Sequence, residues 1–566
     1  MITTSPEPAD IAPRPPAQVM NLAAMGASHA TRLSFMRILL RRLKREKWRF
    51  ERRVFDIDAR GVGTAVYVAH GPQRSYSLVC FGHDLPPEMR SDRVIATAWD
   101  ATFALHDGIA DEQTIARLRD NIPLQEAGRV LASELSVSRA NRSVRLFEHV
   151  VESLASGRQP NGSRVSETGY LMRTTAVYGS GKLGAADREA IAERPEFNAP
   201  FQVEMLSVYL TRAFIADLVE QMARLRSPKT AVPLEPGLRR SLGVGNSTGL
   251  GMAPFLVNHP ALLNNWISAR EHALARVRNL PAASAAQVAR FLDLLRSSRT
   301  NALQWHSSDP RQMQCIEGLN RDLGSLNDDL ALSMLSGPRP WNKLYGWAEQ
   351  HLSPEGRELI AALLIEPHGE IVDELADTMS ADESTAFRID GSMSVGRMLE
   401  LLAEIHGARI DMDWSDPKAI ARLWYVSAEK LEPRLGERFE EPLDAYEQPL
   451  APARDAAMMA QDLAMHDAEM RLAEFLLKHP RYRHVARRAQ LASRLPYAEI
   501  RDNTISATML PVDLLRCKLS FFGAQQFDPR SDRWIRINMF KGAPYPHELE
   551  TADADFWPYA VLPASA

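Results

Sequence analysis

The chain is poor in the features that would settle its class at once. Only three cysteines occur in 566 residues, Cys80, Cys315 and Cys517; they lie far apart and form no C-x-x-C pair, which excludes a disulfide framework and a zinc ribbon. Each sits among apolar neighbours, the setting of a cysteine that serves as a small hydrophobe. No run approaches the roughly 20 apolar residues of a membrane-spanning helix, and the first residues lack the charged-then-apolar layout of a secretory signal. The expectation is a soluble, cytoplasmic protein with no membrane partner. Charge of one sign is scarce too: the net charge is −4 and the pI about 6.5, so no overall field gathers nucleic acid or anionic lipid. The absence of a fixed-period repeat excludes a solenoid or propeller.

What is present is the composition of an ordinary globular protein, 45% hydrophobic and 24% charged. Single hydrophobic cores stop growing near roughly 250–300 residues, so this length predicts several domains. The expected fold class is α+β, mainly α-helical and multi-domain, with a small antiparallel sheet near the N-terminus. Residues 1–28 read as a flexible arm, because five prolines fall in the first 19 positions and few large apolar groups offset the entropy of ordering. Residues 29–110 read as a helix plus a small antiparallel β region, with strands near 54–57, 63–69 and 76–81 and a turn at His70-Gly71-Pro72-Gln73. Residues 93–99 fit a strand or a helix start. Residues 111–380 read as a mainly helical domain, and 381–566 as a mainly helical region with a short β-like piece near 533–540. Apolar spacing predicts helices at 112–121, 201–226, 260–279, 285–304, 354–364, 395–406 and 453–478.

Two glycine turns, both within 111–380, carry the candidate chemistry. The first, Tyr178-Gly179-Ser180-Gly181-Lys182-Leu183-Gly184, follows a predicted strand and precedes a short helical pattern. Free backbone N–H groups and a helix dipole meet an anion in that arrangement, with Lys182 and Arg173 as counter-charges. A nucleoside-triphosphate loop also needs a glycine and a Ser or Thr where this chain has Ala176 and Leu183. The second turn, 241–254, places four glycines within nine residues and includes Gly245, Asn246, Ser247 and Thr248 as anion-binding candidates. No apolar strand stands just upstream, so it is not a dinucleotide fingerprint. Tyr178 and His259 are the candidates for moving a proton, His259 because imidazole titrates near neutrality.

These residues lead to the expectation of an enzyme that binds a small carboxylate- or phosphate-bearing molecule, with reaction type and cofactor unassigned. One alternative is a non-enzymatic homo-oligomeric scaffold in which both turns are connectors. A second is nucleic-acid binding through the arginine- and lysine-rich run 32–53. Two loop segments, 366–370 and 411–416, hold metal-ligand residue types, but turn formation and helix capping explain both; no metal is assigned.

Overall fold

Asp58 begins the first reversal of the chain, its carboxylate accepting the N–H groups of Arg60 and Val62 at 2.9 and 2.8 Å. Gly63 completes it at φ 142°, where a Cβ would meet the Asp56 carbonyl at 1.9 Å. In the computed structural model, which describes residues 10–89, 98–121, 131–174, 191, 193–248, 259–306, 310–379, 387–407, 410–414, 425–427, 430–432, 452–500, 511–523, 528–529 and 535–552, this reversal opens a sheet. The strands are β1 (Arg49–Ile57), β2 (Gly63–His70), β3 (Ser75–Gly82), β4 (Ala101–Asp107), β5 (Glu134–Arg142), β6 (Tyr170–Thr174), β7 (Gly243–Thr248), β8 (Tyr425–Ser427), β9 (Lys430–Glu432), β10 (Asp528–Pro529) and β11 (Ile535–Met539). Strands β8 and β9 form a separate hairpin; the other nine make one sheet in the order β1-β2-β3-β4-β5-β6-β7-β11-β10.

The chain divides into two compact units. The sheet unit comprises His29–Thr248, Leu519–Arg530 and Trp534–Ala566, and the helical unit Met1–Ser28, Gly249–Lys518 and Ser531–Arg533.

In the sheet unit, β1 to β6 run as an antiparallel meander. Strands β6 and β7 pair parallel, and β11 returns antiparallel on β7. A parallel pair needs a long crossover, and here that connection includes the helix Gln202–Arg226. Its residues are buried almost all round, as expected of a helix without a polar stripe. Phe214 packs on Phe55 and Phe103 of the sheet, and Asp217 accepts the Tyr67 hydroxyl at 2.7 Å. The opposite face at β2 to β5 gathers Val66, Val68, Val79, Ala104 and Val137 under Leu118 of the helix Glu112–Asn121.

The small antiparallel sheet expected near the N-terminus is corrected by these pairings. Among the described residues the sheet is mixed and nine-stranded, and it draws its strands from residues 49 to 539. The local pattern shows the first three strands, but β7 reads as a glycine turn and joins β11 from almost 300 residues away, a pairing that no local periodicity reveals. The Arg93–Trp99 stretch lies largely outside the described residues.

The helical unit includes Pro260–Asn279, Ala285–Ala302, Pro354–Ile365 and Val395–His406, all at positions where apolar spacing predicts helices. Ser284 and Gln287 form a capping box at the start of the second. The long helix expected over 453–478 is two, Pro452–Leu463 and Leu472–Lys478, which pack with Val395–His406 and Arg483–Arg494 around Met398, Leu402, Met459 and Phe475. Among the described residues no helix is long and apolar enough to cross a membrane. The N-terminal segment is docked on this unit from Ile11 onward, with Arg14 buried.

Candidate functional site

Alternation along a strand and direct pairing between strands decide which side chains share a face of the sheet. Phe103 faces the helix Gln202–Arg226 through Phe214 and pairs with Ser138 of β5. Asn141, three residues further on, therefore lies on the other face, together with Arg139. Asn141 pairs with Arg173 of β6, Arg173 with Gly245 of β7, and Gly245 with Asn538 of β11. One row across four strands thus carries an asparagine, an arginine, a glycine and an asparagine on a single face.

A bulge in β6 adds Tyr170 to that row. Between Tyr170 and Arg173 the register slips against β7, so one extra residue brings the two side chains to the same side. The contact at Gly245 agrees: a Cβ there would stand 2.5 Å from the Tyr170 ring. The glycine lets the aromatic ring lie on the backbone of β7.

The electrostatics of this face centre on Arg139. Its guanidinium lies 3.9 Å from the Trp99 ring centroid, and burial pushes its pKa down; no ion pair to it is found among the described residues. Other arginines of the unit differ. Arg194 donates to both Asp107 oxygens at 2.9 and 2.6 Å, Arg117 to both Glu134 oxygens at 3.1 and 2.7 Å, and Arg239 to Glu220 and Asp217 at 2.8 and 2.6 Å. Asn141 fixes the segment that carries Trp99: its amide accepts the Asp100 N–H at 2.8 Å and donates to the Ala98 carbonyl at 3.1 Å. Arg139 and Arg173 are diagonal neighbours on adjacent strands, a spacing of about 7–8 Å between side-chain bases, within which two guanidinium groups can reach one oxyanion.

The residues singled out in the sequence fall in several places. Arg173 and Gly245 share the row. Asn246 lies on the reverse face of β7, where its side-chain amide donates to the Thr174 carbonyl at 2.9 Å and braces β6 against β7. Ser247 and Thr248 extend β7, opposite Arg536 and Ile535 of β11. His259 precedes the helix Pro260–Asn279 in the helical unit and makes no side-chain cap to it. Tyr178 and Lys182 lie outside the described residues. Arg139, Asn141, Tyr170 and Asn538 were not legible as a site, because they sit in strands of unremarkable pattern and meet only through register.

The basic side chains of the run 32–53 are divided between interior and surface, with Arg45, Lys47, Arg49, Arg52 and Arg53 exposed. Arg32, Arg37 and Arg42 are buried; Arg37 donates to the Ala30 carbonyl, Arg42 to the Pro195 carbonyl and Arg52 to Asp217. Among the described residues no cluster of three His, Cys, Asp or Glu side chains could hold a metal ion, and the Cys80 thiol is buried and pushed well up in pKa by that burial. No protein-family model matches the chain, and neither a curated protein nor a solved structure matches it.

Proposed function

We propose that the sheet unit binds a small carboxylate- or phosphate-bearing molecule on the face formed by Arg139, Asn141, Arg173 and Asn538, as the recognition step of an enzyme whose reaction is unassigned. The observation that carries this reading is Arg139: a half-buried guanidinium stacked on Trp99 with no carboxylate partner among the described residues, one strand away from Arg173. Taking a cation out of water without a partner is costly, and an oxyanion bridging both arginines offsets that cost. Topology supports the same place. Strands β6 and β7 are parallel, so their carboxyl ends lie at one edge of the sheet; ligands of sheets with parallel strands gather at such carboxyl ends.

Isothermal titration calorimetry of the intact chain with phosphate and with di- and tricarboxylates checks the proposal against Arg139→Gln, Arg173→Gln and Lys182→Ala. A hydrogen bond to a charged group contributes about 1.5–3 kcal/mol, so each arginine variant should weaken binding roughly ten- to a hundredfold. Equal affinity in all four proteins, or no saturable binding to the wild type, removes the proposal.

A further inference from the structure

The N-terminal segment of the helical unit is held as a peptide ligand is held. Asn279 reads the backbone of Ile11 twice, its Oδ1 accepting the Ile11 N–H and its Nδ2 donating to the Ile11 carbonyl, both at 2.9 Å. The Arg14 side chain enters a pair of carboxylates: Nε and Nη2 donate to Glu271 at 2.7 and 2.9 Å, and Nη1 and Nη2 to Glu358 at 2.8 and 3.2 Å. The Tyr497 hydroxyl donates to the Arg14 carbonyl at 2.8 Å. Pro15 has φ −69° and ψ 152°, the polyproline conformation, and prolines stand on both sides of Arg14 in Ile11-Ala12-Pro13-Arg14-Pro15-Pro16.

The receiving residues come from a fixed frame. Glu271 and Asn279 belong to the helix Pro260–Asn279, Glu358 to the helix Pro354–Ile365, and the Tyr497 backbone is anchored by its N–H to the Asn264 side chain at 3.0 Å. The Glu271 and Glu358 side chains are both nearly excluded from solvent. Arg270 also donates to Glu271, at 2.9 Å, whereas among the described residues Glu358 pairs with no cation other than Arg14.

We infer that the helical unit contains a binding groove for an extended, proline-flanked arginine segment, filled in cis by residues 11–16 of the same chain. The recognition divides as it does for peptides elsewhere: an asparagine side chain and a hydroxyl read main-chain groups, a paired carboxylate reads the guanidinium, and prolines at 13, 15 and 16 leave the segment little conformational freedom to lose. Two buried carboxylates need the cation, so the site selects arginine over any neutral side chain, and over lysine, which cannot bridge both acids with a planar fork.

The groove is tested with the full chain and a fluorescein-labelled peptide of residues 10–17, Asp-Ile-Ala-Pro-Arg-Pro-Pro-Ala. Arg14→Ala vacates the carboxylate pair, so fluorescence anisotropy should show the peptide binding this variant at least tenfold more tightly than the wild type, whose groove is occupied. Replacing the peptide's arginine by glutamine should weaken binding to the variant at least tenfold. Millimolar ethylguanidinium should raise the Tm of Arg14→Ala while ethylammonium raises it less and the wild type does not respond. If Arg14→Ala does not fold, Arg14→Lys enters the same titration with the same expected order. A peptide that binds wild type and variant alike, or binds equally well without its arginine, overturns the inference.

Discussion

Arg139 and Lys541 are two partly buried cations of the sheet unit, and they have different consequences. Arg139 stays charged at any ordinary pH, so its burial calls for an anion. Lys541 can give up its proton instead: burial pushes its ammonium down to about 8 from 10.5. The unfolded chain binds that proton more tightly than the folded one, so the stability cost is fully present below pH 8, shrinks as pH rises through the interval, and is gone above the unfolded value. Lys541→Met should therefore raise Tm at pH 7 and raise it less at pH 10, as differential scanning calorimetry at the two values checks; an equal gain at both contradicts the assignment. Gly245 is constrained by contact. Its Cβ would meet the Tyr170 ring at 2.5 Å, and Gly245→Ala should cost about 1–3 kcal/mol, the usual range for overpacking, measured by urea unfolding.

The elements explain what was readable in advance and what was not. Helices such as Pro260–Asn279 and Val395–His406 announce themselves by apolar residues every three or four positions, and local periodicity suffices for them. Strand β7 does not. Its sequence, Gly-Val-Gly-Asn-Ser-Thr, has low strand preference, and it holds its place because Gly243 and Gly245 admit the Met539 carbonyl and the Tyr170 ring, partners that a residue pattern cannot display. The candidate site divides the same way: glycine density points to Arg173 and Gly245, whereas Arg139, Asn141 and Asn538 become their neighbours only once strands separated by tens to hundreds of residues are in register. The helix Gln202–Arg226 ties the late strand to the early ones. Its buried Arg212 donates to the carbonyls of Leu242, Ala543 and Arg240 at 2.8, 2.8 and 2.9 Å and lies 4.0 Å from the Tyr545 ring centroid. Each buried acceptor left without a donor costs about 1–3 kcal/mol, so Arg212→Ala should lose about 3 kcal/mol or more in urea unfolding; a loss under about 1 kcal/mol would mean that these carbonyls find other donors.

At the scale of the whole molecule, each unit is completed by chain distant in sequence: residues 535–539 close the sheet on β7, and residues 11–16 fill the groove of the helical unit. In that groove burial alone would raise the Glu271 carboxyl, but Arg270 and Arg14 outweigh it and hold the group at about 2. A carboxylate with a depressed folded value contributes stability that is complete above its unfolded value of 4.5 and is lost as pH falls towards 2. Acid titration followed by circular dichroism should accordingly show Arg14→Gln differing from wild type most at neutral pH and converging with it near pH 2. The central claim, that the sheet unit holds an oxyanion between Arg139 and Arg173, is tested most directly by anomalous diffraction from crystals soaked in selenate. The account predicts a selenium peak within hydrogen-bonding reach of both guanidinium groups, on the face shared with Asn141 and Asn538. A map with no peak there, in which Arg139 instead pairs with a carboxylate of its own chain, would contradict it.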